Sequence, residues 1–160
     1  MNSANATDRS DPGKSHSDSA IEPGGTTGPA NGAAPGGTIL VIDDDDTVTE
    51  ITKRILTRKG YRVLKASNGL DGIAFLKREK KVDLVILDLI MPRLSGSETL
   101  SEIRHFRKDI PVLISSGFCE SQAITLFDGH TPDGYVKKPF RAAALVEAVR
   151  NAMSPREQDA

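Results

Sequence analysis

The chain has 160 residues and a formal net charge of -1, with charges of both signs mixed along most of its length. That length suits one ordinary domain, and the near-neutral balance supplies no basic field for nucleic acid or an anionic membrane. No apolar run approaches the roughly 20 residues of a membrane helix, and the polar N-terminus, Met1 to Asp11, lacks the apolar core of a signal peptide. The single cysteine, Cys119, has no partner for an internal disulfide and reads first as a small packing residue. These features point to the cytoplasm.

Residues 1–37 are dominated by Gly, Pro, Ser, Thr, Asn and Ala, with Ile21 the only large aliphatic after Met1. Such a stretch buries too little apolar surface to offset its ordering entropy, and the expectation is a disordered leader or tether. Structure is expected from Thr38. Ile39-Leu40-Val41-Ile42 is a short apolar run of the kind found in strands buried on both faces, and it ends in Asp43-Asp44-Asp45-Asp46. Val48, Ile51, Ile55 and Leu56 then recur at helical spacing over Thr47–Lys59, and Gly60 closes that helix. Tyr61–Ala66 reads as a second strand, and Leu70–Lys80 as a second helix with Leu70, Ile73, Ala74 and Leu76 on its apolar face.

The central segment follows. Asp83-Leu84-Val85-Ile86-Leu87-Asp88 is a buried-strand run that delivers Asp88, half exposed, to the carboxyl edge of a sheet; Pro92 and Ser95-Gly96 then turn the chain. A third helix is expected from Ser97 to Phe106, a fourth strand over Pro111–Gly117, and a short helix over Ser121–Phe127. A fifth strand runs Gly134–Lys138 into Pro139, and a last amphipathic helix spans Phe140–Met153 before a polar end at 154–160. Five apolar runs alternating with five helical patterns predict an α/β fold: a parallel sheet with helices on both faces and a site at the carboxyl ends of the strands, where strand order reverses.

That edge carries Asp43, Asp44, Asp88, Ser116 and Lys138, each following an apolar run. Three adjacent carboxylates do not all stay ionised without compensation. A hard divalent cation such as Mg2+, which takes carboxylate, carbonyl, water and phosphate oxygens, supplies it. Metal, lysine ammonium and serine hydroxyl together suit the peripheral oxygens of a phosphoryl group in transfer, with a carboxylate as nucleophile. Each element also has a plainer reading. An Asp run after a strand often serves a helix N-terminus, where negative charge suits the dipole, and a Lys-Pro pair is often only a turn.

Ile39-Leu40-Val41-Ile42-Asp43-Asp44-Asp45, Asp88-Leu89-Ile90-Met91-Pro92 with Gly96, Pro111-Val112-Leu113-Ile114-Ser115-Ser116-Gly117 and Tyr135-Val136-Lys137-Lys138-Pro139-Phe140 together resemble the receiver domain of bacterial two-component response regulators. The resemblance covers residues 38–153. It implies a (βα)5 doubly wound, flavodoxin-like sheet of strand order 2-1-3-4-5. It also implies that Asp88 is the phosphoacceptor and that Asp43 and Asp44 hold Mg2+, one directly and one largely through water. The Ile90 carbonyl would be a further ligand. Lys138 would pair with a phosphoryl oxygen, and Ser116 and Tyr135 would form the switch. The Lys138–Pro139 bond is cis in similar proteins. The implied partners are a histidine kinase or histidine phosphotransfer protein and a downstream protein. The docking face would lie on the fourth helix, fifth strand and last helix, with Tyr135, Lys137 and Arg141 to Arg150. The wording Ser-Ser-Gly-Phe and Tyr-x-Lys-Lys-Pro-Phe resembles receivers fused to hybrid histidine kinases more than those on transcription factors.

Three departures from the common pattern bear on function. Serine stands at 116 in place of the commoner threonine, and Gly117 follows it where alanine is frequent. Ile90 and Phe118, both apolar, occupy the positions that border the path of the hydrolytic water in the family, which points to a shielded, long-lived acyl phosphate. With no helix-turn-helix or basic cluster after Met153, the expectation is a single-domain regulator that signals by contact, binds no nucleic acid, and is a self-modifying acceptor rather than a turnover enzyme. Two other readings stand beside it. One is a receiver-like binding module that is never phosphorylated. The other is a haloacid-dehalogenase-type phosphatase with Asp43 as nucleophile and Asp45 as acid, a reading in which Asp88 has no role and the later acidic pair is missing.

Overall fold

The computed structural model describes residues 36–155. The leader expected over residues 1–37 lies outside them except for Gly36 and Gly37, as do residues 156–160 of the polar end. Gly36 N donates to Gly60 O at 3.1 Å and Gly37 O accepts from Arg62 N at 2.9 Å, so both glycines are already tied into the fold.

Ten elements alternate: β1 Thr38–Ile42, α1 Asp46–Thr57, β2 Arg62–Ala66, α2 Gly69–Arg78, β3 Leu84–Asp88, α3 Gly96–Phe106, β4 Val112–Ser116, α4 Glu120–Ile124, β5 Gly134–Lys137 and α5 Ala142–Met153. All five strands are parallel, in the order β2-β1-β3-β4-β5. The doubly wound architecture and strand order are those expected. The three inner strands β1, β3 and β4 are buried along their whole length, which is why their sequences are unbroken apolar runs. The edge strand β2 shows its two basic residues, Arg62 and Lys65, to solvent.

Alternation along the strands splits the core in two. Leu40, Ile42, Val85, Leu87, Val112 and Ile114 pack with Ile73 and Leu76 of α2 and Leu100 and Ile103 of α3. Ile39, Val41, Leu84, Ile86, Leu113 and Val136 pack on the other face with Leu56 of α1 and Leu145, Val146 and Val149 of α5.

Every helix departs from its expected bounds by one to three residues at an end, α3 starting at Gly96 and α5 at Ala142, and three differ further. On α1 the buried row is Thr49, Thr52 and Leu56, while Ile51 is 49 % exposed. Leu56 lies over β1, and stepping back by three and four residues reaches the threonines rather than Val48 and Ile51. Thr49 Oγ1 donates to Asp46 O at 2.9 Å, so that inward hydroxyl has a partner. On α2 the inner row is Gly69, Gly72, Ile73 and Leu76, and Leu70 faces out. A Cβ at Gly72 would lie 2.8 Å from Ile42 Cγ1, so glycine is what lets α2 lie against β1. Helix α4 is a five-residue turn that begins one residue earlier than expected and leaves Ile124 and Leu126 exposed.

Candidate phosphoacceptor site

The carboxyl ends of β1, β3 and β5 meet at one point. Asp43 follows Ile42, its amide continuing the β1–β2 ladder through a bond to Ala66 O at 3.1 Å. Asp88 is the last residue of β3. It is 7 % exposed, and in this it differs from the half-exposed residue expected of a strand end. The loop after β3 returns tightly: Gly96 N donates to Leu89 O at 2.9 Å, and a Cβ at Gly96 would stand 2.7 Å from Leu89 Cα. This packing of backbone on backbone closes over the strand end.

Lys138 reaches this point from the end of β5. Its Nζ donates to Asp43 Oδ2 at 2.6 Å and lies 3.3 Å from Asp88 Oδ1. The Lys138–Pro139 peptide bond is cis. Asp43 and Asp88 are both buried and Asp44 is exposed, and ligand oxygens of the three lie within 4.8 Å of one another. An all-oxygen donor set of this kind fits a hard cation and not a thiophilic or imidazole-seeking one. The charges do not balance, with one ammonium against two buried carboxylates. Burial, and then the Asp43 charge, push Asp88 up to about 6 against the opposing pull of Lys138. Burial draws the Lys138 ammonium down, but Asp43 and Asp88 outweigh it and hold the group above its ordinary value.

The Asp run divides its labour. Asp43 and Asp44 belong to the cluster. Asp45 caps α1, accepting from Thr47 N at 2.8 Å and Val48 N at 3.2 Å, and Asp46 opens the first turn. The plainer reading of the run, as a helix N-terminus, is thus correct for its second half.

The other predicted residues stand around the cluster rather than in it. Ser116 is buried, and its Oγ accepts from Phe118 N at 3.1 Å within its own loop. Tyr135 Oη donates to the Ser116 carbonyl at 3.2 Å, so the expected switch pair is joined through the backbone and not through the serine hydroxyl. Ile90 N lies 3.5 Å from Asp88 Oδ1, while its side chain is 60 % exposed; Phe118, whose amide bonds Ser116 Oγ, is 41 % exposed. One neighbour was missed. Ser115 pairs in register with Asp88, and the period-two alternation of the strand was the signal that would have found it.

The family model for the response regulator receiver domain matches residues 39–150, and the chain belongs to that family, whose members are phosphoacceptor domains of phosphorelay signalling. Among curated proteins the chain is similar to the probable C4-dicarboxylate response regulator DctR of Bacillus subtilis, 35 % identical over 113 residues, or 69 % of this chain and 50 % of that one. It is also similar to response regulator RR06 of Streptococcus pneumoniae, 36 % identical over 70 % of this chain and 51 % of that one. The chain therefore spans about half the length of these relatives. Among solved structures it resembles a response regulator receiver domain protein from Clostridium thermocellum (33 % identity, TM-score 0.67, 73 % of this chain and 94 % of that one). The chemotaxis protein CheY4 of Vibrio cholerae shares the fold at 22 % identity (TM-score 0.69, 72 % and 98 %). No helix among the described residues is long and apolar enough to cross a membrane.

Proposed function

We propose that this receiver domain takes a phosphoryl group from a phosphohistidine onto Asp88, and that the resulting change at Ser116 and Tyr135 alters the surface it shows to a downstream protein. The donor is a histidine kinase or a histidine phosphotransfer protein. The observation that carries the reading is the buried Asp43–Lys138–Asp88 cluster, in which one ammonium bridges two carboxylates at 2.6 and 3.3 Å. In the transfer an Asp88 oxygen forms a bond to phosphorus, the phosphorus–nitrogen bond of the donor breaks, and the departing imidazole takes up a proton. Asp43, Asp44, Asp88 and the Ile90 carbonyl would hold Mg2+, which when bound offsets the negative charge shared by the carboxylates and the phosphoryl oxygens.

Lys138 moves from the Asp88 carboxylate to a phosphoryl oxygen. Ser116 gives up Phe118 N and donates to another oxygen. Tyr135 is bonded to the Ser116 carbonyl, so displacement of that residue loosens the ring from its present place. The acyl phosphate carries about two negative charges where the carboxylate carried one, and adds three acceptor oxygens, enough to bias a two-state element.

The test is intact mass after incubation with acetyl phosphate. A phosphoryl-sized gain is expected in the wild type with Mg2+, and none in Asp88→Asn or with chelator. An adduct that survives in Asp88→Asn but disappears in Asp43→Asn would favour the phosphatase reading instead. No adduct in any form would favour the binding module. The apolar, partly exposed side chains of Ile90 and Phe118 at the mouth support a long-lived adduct. Its half-life is expected to shorten severalfold in Ile90→Asn, and an unchanged half-life removes the shielding role.

A further inference from the structure

Ser115 is 2 % exposed, and its Oγ is the one buried side-chain polar atom without a hydrogen-bond partner among the described residues. Buried hydroxyls are nearly always paired, so an orphan calls for a cause. Its position in the sheet supplies one. Ser115 is two residues beyond Leu113, Asp88 two beyond Ile86, Asp43 two beyond Val41 and Lys138 two beyond Val136. Those four apolar residues all lie on the α1 and α5 face of the sheet. Alternation therefore sends Asp43, Asp88, Ser115 and Lys138 to one face. Ser115 is in register with Asp88 on one side and with Val136 on the other.

Strand β4 lies between β3 and β5. Lys138 starts beyond the end of β5, yet its ammonium meets Asp88 on β3 and Asp43 beyond β1. The lysine arm must pass over β4 on the face that Ser115 occupies. An ammonium has three N–H donors, and two acceptors are present here, Asp43 at 2.6 Å and Asp88 at 3.3 Å. An unpaired buried hydroxyl and an ammonium with one donor to spare thus share one face of the sheet. Rotation of Ser115 about a single bond, between staggered wells, re-aims the hydroxyl.

We propose that Ser115 is a positioning residue for Lys138: its hydroxyl accepts the third ammonium N–H and holds the arm across β4, in place for the phosphoryl group that arrives at Asp88. This rests on the phosphoacceptor reading of Asp88. Ser116 faces the opposite side of the sheet, so the two adjacent serines divide the work. Ser116 answers the phosphoryl group from the α4 side, and Ser115 supports the lysine from the α5 side.

The test is the rate of adduct formation from acetyl phosphate with Mg2+, followed by intact mass on variants whose thermal unfolding confirms that they are folded. Ser115→Ala is expected to slow the rate roughly tenfold or more, the size of one charge-assisted hydrogen bond. Ser115→Thr restores it to within about twofold of wild type, whereas Ser115→Val, the same shape without the hydroxyl, does not. The Thr and Val pair keeps the comparison valid if the alanine variant folds poorly. Because the hydroxyl acts through the lysine, Ser115→Ala in a Lys138→Ala background changes the rate less than about twofold.

A wild-type rate in Ser115→Ala, equal rates in the Thr and Val variants, or undiminished slowing in the Lys138→Ala background each overturns the assignment while leaving Asp88 as acceptor. A folded wild type that takes no phosphoryl group overturns both.

Discussion

The two ends of the sheet hold the same kinds of residue and treat them in opposite ways. At the amino end, Asp133 accepts from Arg104 Nη2 at 2.6 Å and from Val112 N at 2.7 Å, and Arg104 Nη1 donates to Ile110 O at 2.6 Å. Asp83 accepts from Thr38 N at 2.7 Å. Each carboxylate there closes the first turn of the sheet ladder. At the carboxyl end two buried carboxylates share one lysine, and Asp88 is left with a raised proton affinity. The difference teaches where stability and function reside. At the amino end Asp133 has its own guanidinium and Asp83 a backbone amide, and the Arg104–Asp133 pair clips α3, β4 and β5 together. The carboxyl end carries surplus negative charge that a cation or a phosphoryl group with its cation would resolve, which is a cost the rest of the fold sustains.

Breaking the matched end is expected to have the largest effect. Arg104→Ala leaves Asp133 buried without its guanidinium and costs about 3 kcal/mol, or roughly 10 °C in Tm. Thermal unfolding measures it, and a shift of only a degree or two would show that the amino end is not the clip.

Relieving the surplus should work in the opposite direction. The folded protein binds the Asp88 proton more tightly than the unfolded chain, with a pKa of about 6 against 3.8. Stability therefore falls as pH rises between those values, and the full penalty applies above the upper one. Asp88→Asn removes the charge and is expected to gain about 1–2 kcal/mol at pH 7.5 in chelator. The gain should shrink as pH falls through about 6 in denaturant melts. A variant no more stable than wild type at pH 7.5 would show that the two ends are equally well compensated.

The same comparison predicts a metal effect. Mg2+ at ten times its Kd is expected to stabilise the wild type by about 1.4 kcal/mol, by mass action. It should do little for Asp43→Asn, as read by Tm with and without the ion.

The smallest effect concerns the loop over the site. Arg93 has φ of 71°, in the left-handed region where a side chain is strained. Arg93→Gly is expected to gain about 0.5 kcal/mol in a denaturant melt, the relief of strain being partly offset by the freer unfolded chain.

Much of the candidate site was legible because its residues stand at or just past the ends of apolar runs. Asp43, Asp88, Ser116 and Lys138 were all placed at one edge from that pattern, and the structure brings Asp43, Asp44, Asp88 and Lys138 into one cluster. Ser116 and Tyr135 were expected to act together, and the bond between them runs to a carbonyl that no side-chain pattern displays. The inward row of α1 was misplaced because Thr49 and Thr52 look polar in sequence, yet Thr49 satisfies its hydroxyl on the helix backbone and can be buried.

By itself, then, the chain's periodicity determined the alternation of strands and helices, the parallel sheet, and which residues stand at its carboxyl edge. These follow from local chemistry: buried strands need apolar runs, helices need an apolar stripe, and turns need Gly, Pro or Asp. Three matters were decided only by tertiary structure. The return of the loop at Gly96 buries Asp88. The path of Lys138 across β4 sets its two carboxylate contacts. The packing around β4 buries the Ser115 hydroxyl away from any partner among the described residues. Each depends on the distance between segments far apart in the chain, and the spacing of residues along a sequence carries no measure of that distance.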